Sequence, residues 1–393
     1  MESSTVLSNS LMKNLSWGIT SSWGVSTTGN KMSRSQFKAE FAKIVSSSTF
    51  DLNCEEMRER FIKLDQFSKA NIPDELFRFR KCGIEELIAF EQETIPMSVA
   101  EKFSDIYDSN IFYDYRCMEE RYWRLYSHLI PYIILSVKCN PSMYTITPLL
   151  ENYLENESTD YFSPEFCKSI LEDRIVFLGI VADLARYINS LIVNPRTDQS
   201  KKIACFTEDV KSKFMWDSYA DGYKGFALKY DLKKMQNSEA ARENSTCLFP
   251  VIYSSRKYNA TEYLDRKCLN NLLEMIRKDE ECRNWMEAHK IELPSPFLTD
   301  HFSSVKQYLY KDKKEYGHEK EWRLIKFDEP NNGRDFISIP AHGYLKAIYY
   351  GPNIEPRYKK YLSSIAKSKG IDEYDVCMNE GSPEYKLKVV KEK

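Results

Sequence analysis

The segment His318-Glu319-Lys320-Glu321-Trp322-Arg323-Leu324-Ile325-Lys326-Phe327 reads as a β-strand that carries chemistry on one side. Alternation places Glu319, Glu321 and Arg323 together, and the same side continues with Ile325 and Phe327. A polar triplet running into an apolar face is the pattern of a cleft wall. There, carboxylates accept hydrogen bonds from a ribose or act as general base, with the arginine orienting one of them. The competing reading is a salt-bridged strand end. Far upstream, Glu75-Leu76-Phe77-Arg78-Phe79-Arg80 alternates too, with Phe77 and Phe79 on one face and Arg78 and Arg80 on the other. Two guanidiniums on one strand face suit bidentate capture of phosphate or carboxylate. They equally suit ion pairs with Glu319 and Glu321.

Thr207 follows Cys205 and Phe206 at the end of an apolar strand, and Ser98 follows Pro96 and Met97. Both are hydroxyls at strand ends, where loops build sites, and both fit a turn or a cap. Trp216, Asp217 and Tyr219 form a helix face that would stack on a planar ring or fill a core. A Mg²⁺-dependent nuclease would want clustered carboxylates, and Glu319 and Glu321 with Asp105 or Asp217 are the one candidate group. Five dispersed histidines and ten cysteines without a C-x-x-C pair lead us to expect no metal and free, mostly buried thiols. G-x-S-x-G, Walker A and G-x-G-x-x-G patterns are absent, which weakens the hydrolase, P-loop and Rossmann readings.

The elements that must position these residues alternate between sheet and helix. Residues 1–32 are polar and aperiodic and predict a flexible arm. Phe37, Phe41, Ile44 and Val45, then Met57, Phe61 and Leu64 after Asp51 as an N-cap, predict a helical lead-in over 33–72. From 73 to 393 the pattern predicts one α+β domain with a mixed, largely antiparallel sheet and helical insertions at about 118–200 and 261–310. Strands are expected at 75–80, 94–99, 202–207, 225–230, 250–253, 319–327, 345–350, 375–378 and 385–390, and helices at 85–92, 261–290, 299–309 and 355–369. Ser163 before Pro164 reads as an N-cap, and the apolar run to Asn194 as a buried helix.

Composition bounds the partners. The 393 residues carry 56 basic and 58 acidic side chains, a net charge of −2, so nucleic acid or an anionic membrane would need a local patch. Met1 to Asn30 lacks the basic and apolar regions of a signal peptide. The near-continuous apolar run Leu129–Val137 contains Pro131 and is about half of what a bilayer-spanning helix needs. A cytoplasmic protein without a membrane partner is expected.

Leu76-Phe77-Arg78-Phe79-Arg80, Ile95-Pro96-Met97-Ser98-Val99-Ala100-Glu101-Lys102-Phe103-Ser104-Asp105, Cys205-Phe206-Thr207, Met215-Trp216, Tyr219-Ala220, Gly225, Val251-Ile252-Tyr253, Glu319-Lys320-Glu321-Trp322-Arg323 and Ile348-Tyr349-Tyr350-Gly351 occur in that order. As a set they resemble a bacterial family known as domain of unknown function twenty-nine seventy-one, over about Asp74 to Tyr358. Ser104 and Ile106 stand where the family's Phe-Asn-Asp-Pro run has Asn and Pro. The order of an early strand Arg, a mid-chain hydroxyl and a late Glu-x-Glu also looks like that of ADP-ribosyltransferases. That likeness implies a nucleotide-type small molecule, NAD, as substrate, with a protein or nucleic-acid target. It implies Arg78 or Arg80 on a phosphate, Thr207 or Ser98 beside the nicotinamide ribose, and Glu321 with Glu319 at the ribose hydroxyl. Arg323, Trp216 and Tyr219 would complete the cofactor contacts. No Ser-Thr-Ser run and no nicotinamide-cradling glycine accompanies them. The expected activity is that of an NAD-consuming effector or anti-phage defence toxin. A protein-binding or ligand-sensing module is the alternative, and a metal-dependent nuclease the third reading.

Overall fold

Short alternating runs rich in Ile, Phe, Tyr and Trp pay for burial on both faces only as neighbours in one sheet, and ten of the strands form one. The computed structural model describes residues 32–48, 53–139, 163–193, 200–297, 302–327 and 334–392. The expected arm, but for Met32, lies outside the described residues. In chain order the strands are β1 (Leu76–Arg80), β2 (Thr94–Ser98), β3 (Ile111–Phe112), β4 (Lys201–Thr207), β5 (Phe226–Tyr230), β6 (Thr246–Pro250) and β7 (Ile252–Ser254). They continue with β8 (Tyr258–Asn259), β9 (Tyr310–Asp312), β10 (Glu321–Phe327), β11 (Phe336–Pro340), β12 (Leu345–Tyr350), β13 (Asp372–Met378) and β14 (Leu387–Lys391).

The sheet runs β11-β2-β4-β1-β5-β12-β13-β14, with β10 paired to β4 and β6 to β10. Its pairings are antiparallel apart from β12 with β13, so the fold is the expected α+β type. β10 takes one whole edge of β4, from Glu321 opposite Thr207 to Phe327 opposite Lys201. The other edge of β4 is shared. β1 meets it at Phe77 opposite Thr207, and β2 meets it at Ser98 opposite Ile203. Between those two points the edge of β4 is left open, and the sheet splits there into a wedge.

The helices Arg34–Ser46 and Cys54–Ala70 start at the capping boxes of Ser33 with Gln36 and Asn53 with Glu56. Asn53, not Asp51, is the second cap. These helices pack into the sheet's own core: Phe37 stacks on Trp322 at 5.9 Å, and Ser68 donates to the Leu248 carbonyl. Trp322 in turn donates to Glu208, which Arg34 and Lys38 also hold. The lead-in therefore braces β10, the strand that carries Glu321 and Arg323.

Helices Met118–Tyr126, Ile130–Cys139, Pro164–Glu172, Arg174–Val193 and Thr261–Lys278 build a second core around Tyr122, Ile134, Leu184 and Leu269. Ser163 caps and Pro164 opens its third helix, as expected. Arg174–Ile192 is long and apolar enough to cross a bilayer, which the sequence reading overlooked in favour of Leu129–Val137. Its Val176, Phe177, Ile180, Leu184 and Ile188 pack inside this helical core. The insert is tied back to the sheet side by the parallel pairs β3 with β8 and β7 with β9.

Several boundaries differ from expectation. The expected strand 319–327 begins at Glu321, because Lys320 is left-handed (φ 50°) and Glu319 sits in the turn Gly317–Glu319. The expected helix 261–290 breaks at Asp279, whose carboxylate caps Cys282 and starts Glu280–Ala288 afresh. The expected strand 250–253 is two strands. β6 ends at Pro250, Val251 donates to the Glu321 carbonyl, and β7 turns to a new partner. Only Ser303–Lys306 and the turn Gln307–Leu309 are helical in the span 299–309, of which 299–301 lie outside the described residues.

Candidate functional site

The open edge of β4 becomes a cavity of about 330 Å³, near the lower end of small-molecule sites at roughly 300–1,000 Å³. β1 contributes Arg78 and Arg80, β2 Ser98, β4 Cys205 and Phe206, and β10 Glu321 and Arg323. Asp105 and Asp108 come from the segment after β2, Tyr219 from the helix Lys213–Tyr219, Lys311 from β9, and Glu319 and Tyr316 from the turns before β10. In antiparallel register Glu321 and Arg323 share a face with Thr207 and Cys205. Arg78 leans over the ring of Phe206, which points to the opposite face. The cavity thus draws its walls from both faces of the sheet, through the wedge.

One wall is a buried network of charge. Arg323 is fully buried; its Nε donates to Glu321 Oε1 at 2.8 Å, and Nη1 and Nη2 donate to the two oxygens of Asp108 at 2.8 and 2.5 Å. Lys311 Nζ bridges the acidic pair, 2.6 Å from Glu319 Oε2 and 3.2 Å from Glu321 Oε2. The Tyr219 hydroxyl donates to the remaining oxygen of Glu319 at 2.8 Å. Burial opposes the charge of Glu321, yet Arg323 first and Lys311 second outweigh it and hold the carboxyl at about 2. Glu319 moves the other way. Burial, then repulsion from Glu321, raise it, while Lys311 and Tyr219 pull it back. Two neighbouring carboxylates are thereby driven apart in proton affinity, Glu319 being the more basic of the two.

The other wall lacks such compensation. Arg78 and Arg80 make no ion pair with Glu319 or Glu321, and Arg78 Nη1 and Arg80 Nη2 are buried without a hydrogen-bond partner. Burial first and the neighbouring Arg80 second push Arg78 down to about 9, and burial lowers Arg80 as well. Both side chains are half-buried, and a buried donor nitrogen without a partner is costly, a cost that an anion entering the cavity would relieve.

Of the residues singled out in sequence, Arg78, Arg80, Ser98, Tyr219, Glu319, Glu321 and Arg323 meet in this cavity. Thr207 and Trp216 do not line it. The Thr207 hydroxyl donates to the Glu319 carbonyl at 2.6 Å and accepts from the Asp209 amide, so it pins the turn that carries Glu319. Trp216 is fully buried, donates to the Val210 carbonyl and packs edge-on against Phe79. Asp105 lines the cavity and Asp217 does not. Cys205 lies in the wall as a thiol, its ionisation pushed up by burial and then by Glu321. Among the described residues no group of three His, Cys, Asp or Glu side chains is disposed to hold a metal.

Sequence reasoning missed Lys311, Asp108 and Tyr316. A weak signal existed, since two buried carboxylates beside one arginine demand a further cation, but nothing local says which lysine supplies it.

The fold and cavity define an α+β protein with a charge-lined cavity in its sheet. Residues 215–324 match the family model described as "Protein of unknown function (DUF2971)". The segment holds Tyr219, Lys311, Glu319, Glu321 and Arg323, whereas Arg78, Arg80, Ser98 and Asp108 precede it. No curated protein and no solved structure matches the chain.

Proposed function

We propose that the cavity binds a nucleotide of the NAD class and that Glu321, assisted by Glu319, cleaves the bond between ribose and nicotinamide. The observation that carries this reading is the meeting, in one cavity, of two guanidiniums that each hold a buried nitrogen without a partner with a carboxylate pair of divided proton affinity. Phosphate oxygens would take the free donors of Arg78 and Arg80. As the C1′–N bond breaks, its electron pair leaves with nicotinamide and positive charge develops on the ribose. The Glu321 carboxylate, fixed by Arg323, stabilises that charge. Water or an acceptor side chain forms the new bond at C1′ and gives its proton to Glu319. Release of nicotinamide without transfer makes a glycohydrolase; transfer makes an ADP-ribosyltransferase with a macromolecular target. Depletion of NAD or modification of a target would serve a toxin of antiviral defence or an effector.

The test is incubation of the protein, and of Glu321→Gln beside it, with NAD and cell lysate, following nicotinamide and labelled ADP-ribose. Release by the parent protein and none by the variant is the expected result. Silence from both, with thermal melting unmoved by NAD, would overturn the reading. A second reading is favoured by one feature: each oxygen of Glu319 and Glu321 already has a protein donor. Such a site suits a sensing module that holds its ligand uncleaved, and it would show as stabilisation by NAD without turnover.

A further inference from the structure

Glu319 and Glu321 are related by two residues of chain but not by environment. Arg323 is spoken for by Glu321 and Asp108. Lys311 is the cation that makes an ion pair with Glu319, and it stands between the two carboxylates at 2.6 and 3.2 Å while lying 4.0 Å from Asp108. Its ammonium is also 4.2 Å from the centre of the Tyr316 ring, which closes its outer side. Each element around Glu319 presents a group that bears on its charge. Tyr219 donates from its helix, and Glu321 repels from β10. Asp105 and Asp108 add acidic charge from the segment after β2, and Tyr253 of β7 and Cys205 of β4 are neutral. Arg78 and Arg80 of β1 and Lys102, paired with Asp335, line the same cavity without an ion pair to Glu319.

We propose that Lys311 is the positioning residue of the acidic pair: it keeps Glu319 ionised and aimed into the cavity, so that Glu319 accepts a proton while Glu321 remains a fixed anion. The proposal rests on the reading of the cavity as a site of glycosidic cleavage for its functional meaning, but its physical content is independent of any substrate. Without Lys311, Glu321 keeps Arg323, whereas Glu319 keeps only a neutral hydroxyl beside a buried anion. Protonation then relieves Glu319. The proton it must accept has nowhere to go, and the first step stands without the second.

Lys311→Gln retains a hydrogen-bond donor without charge, and Lys311→Arg retains the charge. The titration of Glu319, followed by NMR in protein labelled at the glutamate side-chain carboxyl carbon, should move upward in Lys311→Gln by about one pH unit or more, as expected for loss of an adjacent cation. Lys311→Arg should restore it, and Glu321 should move less in both. In the pH profile of nicotinamide release, the acidic limb should shift upward with Glu319 in Lys311→Gln and return in Lys311→Arg. A Glu319 titration unchanged in Lys311→Gln, or a shift confined to Glu321, overturns the proposal. If the parent protein releases no nicotinamide, the NAD reading fails by itself, while the NMR titration still decides the role of Lys311.

Discussion

Arg323 and Asp108, 215 residues apart in the chain, meet as a buried two-point pair with donor distances of 2.8 and 2.5 Å. That pair locks the segment after β2 against β10 and completes the acidic wall. Asp108→Ala leaves Arg323 its contacts to Glu321 and the Tyr308 carbonyl but removes its two-point partner, so it should lower stability by about 1.5–3 kcal/mol, the usual worth of hydrogen bonds to a charged group. Chemical denaturation measures it; a loss under about 1 kcal/mol would mean the pair is solvated in solution.

Arg78 and Arg80 call for the opposite outcome. Replacing a half-buried arginine that holds an unpartnered buried nitrogen by an apolar side chain of similar reach removes a cost, so Arg78→Met should leave the free protein unchanged or more stable. The upward shift in melting temperature expected of NAD in the parent protein under the proposed function should be lost, because stabilisation follows ligand occupancy. A variant that melts early and still responds to NAD would refute a ligand role for Arg78.

The acidic pair sets a pH dependence. Glu321 is held at about 2 in the folded chain, against about 4.3 for an unperturbed glutamate. Its contribution is therefore complete above the unfolded value and is lost as pH falls from about 4.3 towards 2. Its size is of order 2–3 kcal/mol. Glu319, raised on folding, opposes folding once pH climbs past the unfolded value, so Glu319→Gln should stabilise near neutrality. Urea melts between pH 3 and 7 should show Glu321→Gln with a flatter acid limb than the parent; identical limbs would count against an ionised Glu321.

Gly225 supplies a test of the arginine wall that touches no charge. A Cβ there would collide with the Arg80 carbonyl, just as one at Gly351 would collide with that of Tyr223, and Gly351 donates to the Gly225 carbonyl. Gly225→Ala must push β1 from β5 at Arg80, costing about 1–3 kcal/mol and weakening NAD-induced stabilisation. An alanine variant with parental melting and ligand response would show that this end of the sheet yields freely.

Sequence periodicity revealed β1, β4, β5, β10 and β12 because each alternates or stays apolar over five residues or more. It failed at β3, β8 and β9, which are two or three residues long and exist only through their partners, and it ran the end of β6 and β7 together. β11 escaped because this edge strand turns only Ile337 and Ile339 inward, between an exposed Phe336 and a terminal Pro340, too short an alternation to read. The site followed the same rule. Arg78, Arg80, Glu319, Glu321 and Arg323 were visible as repeated charges on strands. Lys311 and Asp108 were not, since their role is set by burial against residues remote in sequence. Thr207 and Trp216 were placed on the right elements, but strand register and helix rotation turn them into the scaffold.

The split edge of β4 also sets an order of events during synthesis. A nascent chain that has reached β4 has Asp108 without its guanidinium, and one whole side of β4 stays bare until β10 leaves the ribosome more than a hundred residues later. Such chains are the species most exposed to aberrant strand pairing. The cavity lacks its acidic wall until translation passes Arg323, so interrupted translation leaves it unbuilt rather than partly built.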